Sequence, residues 1–512
     1  MSLKTDPPSL LFITVDCLRA DHVGFLGYKR AITPTMDRLA AESIVFANAV
    51  VAGSPTYYAF PALLAGRFPL AMGRDVVGLC PEETTLASHL RDRGYWTGAI
   101  VAGNPYLSPW MGYDQGFDYF EDFLHNQPGA SKESSCKPAG SDLPHRTRLN
   151  RTLQRLTRVS PALAAIYQEL YFTYTLWITG RRAGRDFSRL LRAYPPAEVI
   201  TDRAIAWLQS RPQPFFLWLH YMDAHRPYCP AMHMLEKLGR KDLSPPKQFR
   251  LRHLWLRGDI SVKRLRQSRP DFIDLYDACI SCIDSQLGRL LETLDSMGLF
   301  DNTIIILTSD HGEAFLERGE KDHLPVFATQ EIIQVPLLIR LPQGRPILAP
   351  VDRPFSLMDL LPTVLDMAGL ECPPSFRGRS RWPALQNGEA WEDPAITEMI
   401  YSQNLNPLDR INSPGSRLLT ATTDRYKLTI NFAEGSEELF DLAQDPQELR
   451  SHPLSQNPQV AITLLRALHQ HLKQSLHNRY SGPELALRLE SLRKLTAQLS
   501  PENNQNNTER NS

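Results

Sequence analysis

The sequence predicts an α/β fold, a mostly parallel central sheet flanked by helices, with a smaller C-terminal α+β subdomain. Two observations predict the sheet. Apolar, β-rich runs of strand length end in turn or polar residues at 10–15, 96–101, 215–220, 303–308 and 335–340. Segments of helical periodicity, such as Val199 to Leu208 and Leu275 to Leu294, alternate with them. Near-continuous apolar strands separated by helices describe a sheet covered on both faces. Such sheets bind ligands at the carboxyl ends of their strands, so Asp16, Asp310 and His311, each directly after a strand, carry the most weight.

The first run, Leu10 to Val15, stops at Asp16 and follows one Lys and a Pro-Pro pair, which reads as a buried strand rather than a signal peptide. No stretch approaches the ~18 apolar residues of a membrane span. A soluble, cytoplasmic protein is expected. Residues from about 130 to 270 are irregular and basic: Arg146, Arg148, Arg151, Arg155, Arg158, Arg181, Arg182, Arg185, Arg189 and Arg192 are opposed between Arg146 and Arg192 only by Glu169 and Asp186. Between them lies ALAAIYQELYFTYTLWI. One reading is a helical insertion with a solvated basic face; the other is a lid or docking surface for an anionic polymer or an anionic membrane. From about Thr397 short segments suggest a few antiparallel strands, then helices. The polar end, PENNQNNTERNS, reads as a disordered tail. The expected division is a catalytic domain over 8–395 with a basic helical insertion at about 130–195, a C-terminal subdomain over 396–495, and the tail over 496–512.

A length of 512 residues exceeds what one core usually serves. Lys plus Arg, 56, equals Asp plus Glu, 56, so global charge gives no reason to expect a nucleic-acid partner. Seven scattered cysteines fit a reducing compartment better than a disulfide framework. Cys279 and Cys282 form a lone C-x-x-C inside a helical pattern, with no second pair to complete a zinc site. They are read as core or helix-surface thiols.

Three features could converge at the top of one sheet: Asp16 at one strand end, the Asp310–His311 pair at another, and the Thr56 hydroxyl in a helix-opening turn, GSPTYYAFPALLAG. Hard oxygens with one imidazole suit Mg²⁺, Ca²⁺ or Mn²⁺. A bound ion would lower the pKa of the Thr56 hydroxyl and balance charge on a transferring phosphoryl or sulfuryl group. Each residue alone also has an innocent reading, as a helix cap or a satisfied core histidine.

The segments LLFITVDCLRADHVGFLGY, TPTMDRLAAESIVFANAVV, PFFLWLHYMDAHRPY, NTIIILTSDHGEAFLERG, VPLLIRLP, SLMDLLPTVLDMAGL, FRGRS and EELFDLAQDPQEL resemble, in order, those of the sulfatase family of the alkaline phosphatase superfamily. The resemblance spans about residues 8–450. It implies one divalent metal ion held by Asp16, Thr56, Asp310 and His311, and an anionic ester as substrate, such as a glycan or a lipid head group. Two departures qualify it. Counting back from LLAG puts Thr56 where formylglycine-type members carry Cys or Ser, and Thr cannot become formylglycine. Ser54 is the nearby alternative, two residues out of register. The family's Lys and His that grip the anion are absent from GAIVAGNPYLSP, where Asn104 is the nearest polar residue. Cys17 stands where many sulfatases have a second metal-binding Asp. The reduced set resembles one-metal, Thr-nucleophile phosphotransferases, and the absence of a D-x-x-x-H pair favours a single ion.

His225 is the expected general acid, because imidazole titrates near neutral pH. His323 aligns where the family places a Lys or His on the transferring group, with Lys321 as competitor. His220 either hydrogen-bonds the site or ends its strand. Three functions follow: phosphoester transfer or hydrolysis through Thr56, favoured because phosphothreonine can be resolved by a second attack; sulfate-ester hydrolysis without formylglycine; or binding of an anionic glycan or lipid without turnover.

Overall fold

The computed structural model describes residues 7–71, 77–124, 191–210, 213–256, 262–324, 327–344, 350–400, 417–432, 434–475 and 483–499, with helical positions 166, 167, 170, 173, 174 and 177. The strands are β1 (Ser9–Val15), β2 (Ile44–Val50), β3 (Trp96–Val101), β4 (Tyr119–Glu121), β5 (Phe215–Tyr221), β6 (Thr303–Ser309), β7 (Ala314–Phe315), β8 (Lys321–Asp322), β9 (Gln334–Arg340), β10 (Phe355–Ser356), β11 (Ala395–Ile400), β12 (Arg417–Thr422), β13 (Tyr426–Asn431) and β14 (Ser436–Asp441). Eight form the main sheet, in the order β10-β2-β9-β6-β1-β5-β3-β4. All five apolar runs read as strands are strands.

β1 lies at the centre, parallel to β5 on one side and β6 on the other. Every residue of these three strands is buried. Alternate side chains of β1 serve different layers. Leu11, Ile13 and Val15 pack with Trp207, Ile280, Ile283 and Leu287 of the helices Ala197–Gln209 and Arg269–Ser296. Leu10 and Phe12 pack with Phe60, Leu63, Trp218 and Ile306 on the other face. This period-two partition explains why the runs are apolar throughout. β9 departs from the parallel set, running antiparallel to both β6 and β2. Among the described residues the chain from β6 reaches it without a long crossover helix, through β7, β8 and the short turn of helix Gln330–Ile333, and a parallel return needs such a crossover.

The C-terminal sheet is antiparallel, β11-β12-β13-β14. The helices Pro458–Ser475 and Pro483–Leu499 cover it through Leu465, Leu468, Leu472 and Leu492 against Leu419, Leu428 and Leu439. It meets the turn that leads to Thr56 directly, since Glu398 N donates to Ala52 O at 2.8 Å. Cys279 and Cys282 lie on the helix Arg269–Ser296, and the cysteines among the described residues are free thiols. Most of the basic insertion at about 130–195, and the tail beyond Leu499, lie outside the described residues. No described helix is long and apolar enough to cross a membrane.

Candidate active site

The carboxyl ends of β1, β5 and β6 sit side by side, so residues that follow them in sequence converge. The backbone N–H of Asp16 donates to Tyr221 O at 2.9 Å, extending the β1–β5 ladder by one step. Cys17 then takes a left-handed conformation, φ 62°, which turns the chain out of the sheet. Its N–H reaches Asp310 Oδ1, just past β6, at 3.3 Å. Thr56 opens the helix Thr56–Ala65 with Pro55 as the residue before it, and that helix ends at Gly66, where φ is 57°. The positive end of the helix therefore faces the cluster, a placement that favours anions.

Asp16, fully buried, is the hub. Its Oδ2 lies 3.4 Å from Thr56 Oγ1, 3.1 Å from Asn104 Nδ2 and 3.3 Å from His220 Nε2. Its Oδ1 takes the Cys17 thiol at 3.1 Å. Burial pushes this carboxyl up, but the imidazoles of His225, His220 and His311 outweigh burial and hold it well below the usual range. Asp310 is the opposite case: burial, then repulsion from Asp16, pushes it up to about 6. His311 Nδ1 donates to Gly312 O at 2.9 Å, which leaves Nε2 as an acceptor. That nitrogen lies 3.2 Å from Thr56 Oγ1, 3.4 Å from Asp310 Oδ2 and 3.9 Å from Asp16 Oδ1.

Asp310 Oδ2 tests whether the cluster suits a cation. It is buried and no described residue donates to it. Carboxylate oxygens and an imidazole lone pair within 4.8 Å of one another, beside a hydroxyl, fit a divalent ion.

The remaining expected residues divide. His225 and His323 lie at the cluster, with ring centroids 5.1 Å apart and His323 4.4 Å from His311. His225 Nδ1 donates to Arg226 O at 2.5 Å, which leaves Nε2 to accept or transfer a proton. Burial pushes His225 down to about 4 and His323 to about 3. His323 Nδ1 lies 3.3 Å from Glu313 Oε1 and 3.5 Å from Cys17 Sγ. Asn104 reaches the cluster, but its amide is directed at Asp16 while its Oδ1 accepts from Tyr106 N at 3.0 Å. His220 is wholly enclosed by Thr14, Phe60 and Trp218, so it supports Asp16 from behind. Lys321 turns away, donating to Trp255 O and lying over the Trp255 ring. Ser54 Oγ is buried and has no partner among the described residues.

Two charged residues join the site without having been singled out. Glu313, fully buried, accepts from Tyr228 OH at 3.2 Å and faces His323; its signal was its place in SDHGE. Arg226 follows His225 in the HRPY segment, with Nε 3.2 Å from Asp322 Oδ1. Its charge bears on His225, Glu313, His323 and Tyr194.

The sequence model described as Sulfatase matches residues 8–370, and that of the N-sulphoglucosamine sulphohydrolase C-terminal region matches residues 324–478. The chain is similar to the uncharacterized sulfatase YidJ of Escherichia coli (strain K12), 26% identical over 468 residues covering 87% of this chain and 82% of the relative. Among solved structures it is similar to BT4656 in complex with its substrate D-glucosamine-2-N,6-O-disulfate, with TM-score 0.62, 20% identity, and coverage of 93% and 99% of the two chains. It is also similar to the phosphonate monoester hydrolase of Agrobacterium radiobacter, with TM-score 0.57, 19% identity, and coverage of 91% and 95%. At these identities the structural likenesses show the fold.

Proposed function

Because the chain belongs to the sulfatase family, we propose that it is a metal-dependent ester hydrolase or transferase with Thr56 as nucleophile and a preference for phosphoesters. The observation that carries this reading is the position of Thr56 Oγ1, 3.2 Å from His311 Nε2 and 3.4 Å from Asp16 Oδ2, at the start of its helix. Asp16, Thr56, Asp310 and His311 would hold one divalent ion, and their chemistry suits Mg²⁺, Ca²⁺ or Mn²⁺. Such an ion supplies a lowered hydroxyl pKa and charge balance at the transferring group.

The chain's own residues do the rest. Thr56 Oγ1, its proton lost to solvent as the hydroxyl ionises, bonds to phosphorus as the bond to the leaving oxygen breaks. His225 is neutral in the resting protein, with its one ring proton on Nδ1, so its Nε2 takes up a second proton with the incoming anion and gives it to the leaving alkoxide. His323 and Arg226 face the transferred group, and Asn104 and His220 fix Asp16. Water or an acceptor alcohol then attacks the phosphothreonine in line, breaking the Thr56–phosphorus bond and restoring the hydroxyl. A formylglycine hydrate can expel sulfate by collapsing to its aldehyde, whereas Thr56 has no such exit, so a sulfated Thr56 accumulates.

The second reading, sulfate-ester hydrolysis through the same residues, is favoured by the disulfated glucosamine on which BT4656 acts. Measured kcat/KM for matched p-nitrophenyl phosphate, phosphodiester and sulfate decides between them, with Thr56→Ala as control. The phosphoesters are expected to lead, and Thr56→Ala to lose on the order of 10³-fold or more. Faster, Thr56-dependent turnover of the sulfate overturns the preference, and an aldehyde at Ser54 in the 54–60 peptide overturns the nucleophile.

A further inference from the structure

Large apolar side chains on the described surface concentrate at one place. Ile166, Leu170, Tyr174 and Trp177 are 58%, 67%, 56% and 54% exposed at helical positions. Spacings of four, four and three residues put them within an arc of about 80° on one helical face. Exposed apolar patches of this kind mark interaction surfaces.

The charge on either side in sequence indicates what covers the face. From Arg146 to Arg192 the chain carries ten arginines, no lysine, one Glu and one Asp. A soluble polyanion would satisfy the arginines and leave the apolar stripe in water. A second copy of the chain would bring the same positive charge against itself. An anionic bilayer takes both, with aromatic and aliphatic side chains at the acyl boundary and guanidinium groups among the phosphates. Gln168 and Glu169 interrupt the apolar run, so a bilayer would take the segment on its surface rather than across its core.

The described chain resumes at Leu191, beside the active site. Leu191 is buried and its carbonyl accepts from Arg252 at 3.1 Å. Arg192 lies 3.9 Å from Asp223, and the Tyr194 ring stands edge-on to His225 with centroids 5.5 Å apart. We propose that the face formed by Ile166, Leu170, Tyr174 and Trp177 docks on an anionic lipid bilayer and brings the Thr56 site to a lipid head-group ester. The substrate class rests on the ester-transfer reading above; the docking does not.

Flotation of the full chain with vesicles tests this, using phosphatidylglycerol in phosphatidylcholine against phosphatidylcholine alone. The wild type is expected to float with the anionic vesicles only, and less as salt is raised, since exposed charges are screened within about 10 Å at 0.1 M. The double variant Leu170→Glu/Tyr174→Glu is expected to lose about tenfold or more of that partitioning. It should keep the wild-type melting temperature and turnover of soluble p-nitrophenyl phosphate, which shows that it folds. Docking is overturned if the wild type floats with neither vesicle or with both equally, if the double variant floats as well as the wild type, or if the variant converts a wild-type dimer to monomer. Anionic flotation without any Thr56-dependent ester turnover keeps the docking and removes the ester-transfer reading.

Discussion

A buried carboxylate oxygen without a donor costs stability unless a cation or water satisfies it, and Asp310 Oδ2 is such an atom among the described residues. Divalent ion should therefore stabilise the fold as well as the reaction. At an ion concentration about 100 times Kd the gain is about 2.7 kcal/mol, so Mn²⁺, Mg²⁺ or Ca²⁺ should raise the melting temperature of chelator-treated protein. Asp310→Asn should abolish that rise. A melting temperature indifferent to all three ions refutes the metal cluster. Arg226 yields a different test, because in the proposed mechanism its charge faces the transferred group. A charge-assisted hydrogen bond contributes about 1.5–3 kcal/mol, so Arg226→Met should lower kcat/KM for a dianionic phosphate monoester by about 10–150-fold. The loss should be smaller for a monoanionic diester, and equal losses on both would show that Arg226 shapes the site without contacting the second charge.

At the level of helices and strands, the short helix Pro34–Ala40 is held by another helix. Thr33 makes no side-chain cap. Instead Asp284, on the helix Arg269–Ser296, accepts from Thr35 N at 3.0 Å and Met36 N at 2.8 Å. Burial pushes the Asp284 carboxyl up despite these bonds, so it is held there at some cost. Losing the acceptor strands buried donors, at about 1–3 kcal/mol. Asp284→Ala should show this in denaturant unfolding, with Asp284→Asn recovering part. No change in either would mean that water caps the helix. Such cross-chain capping is invisible in sequence, where Asp284 reads only as one acid on a long amphipathic helix. The strands were legible because burial on both faces leaves no polar alternation to confuse them, and the convergence of Asp16, Asp310 and His311 followed from their places at strand ends. The direction of β9 was not, since its Val–Leu–Ile run is the same whichever way it points. Lys321 and Arg226 show the same limit for side chains. Two long cations near the site differ only in their neighbours, and Trp255, distant in sequence, draws Lys321 aside.

Across the whole molecule, the C-terminal sheet is tied to the catalytic layer by a buried polar knot. Lys427, on β13, pairs with Glu448, and each is about 1% exposed at its side chain. Lys427 Nζ also donates to Ala328 O at 2.5 Å, and Glu448 Oε2 accepts from Gln330 N at 2.9 Å. Arg318 closes the ring through Glu331. Ala328, Gln330 and Glu331 belong to the connection that follows His323 and leads into β9, so the knot bears on the active site. Removing one partner of a buried pair leaves the other charge uncompensated, at about 3–5 kcal/mol. Lys427→Met should therefore lower unfolding stability by that order, and Lys427→Met/Glu448→Gln should recover part of it, because the stranded carboxylate has gone. The two effects of the knot should separate in kinetics. Loosening the 327–331 connection moves His323, so the single variant should lose kcat beyond what its unfolded fraction explains, at temperatures well below its melting point. If kcat follows the folded fraction alone, the C-terminal sheet stabilises the fold without positioning the site.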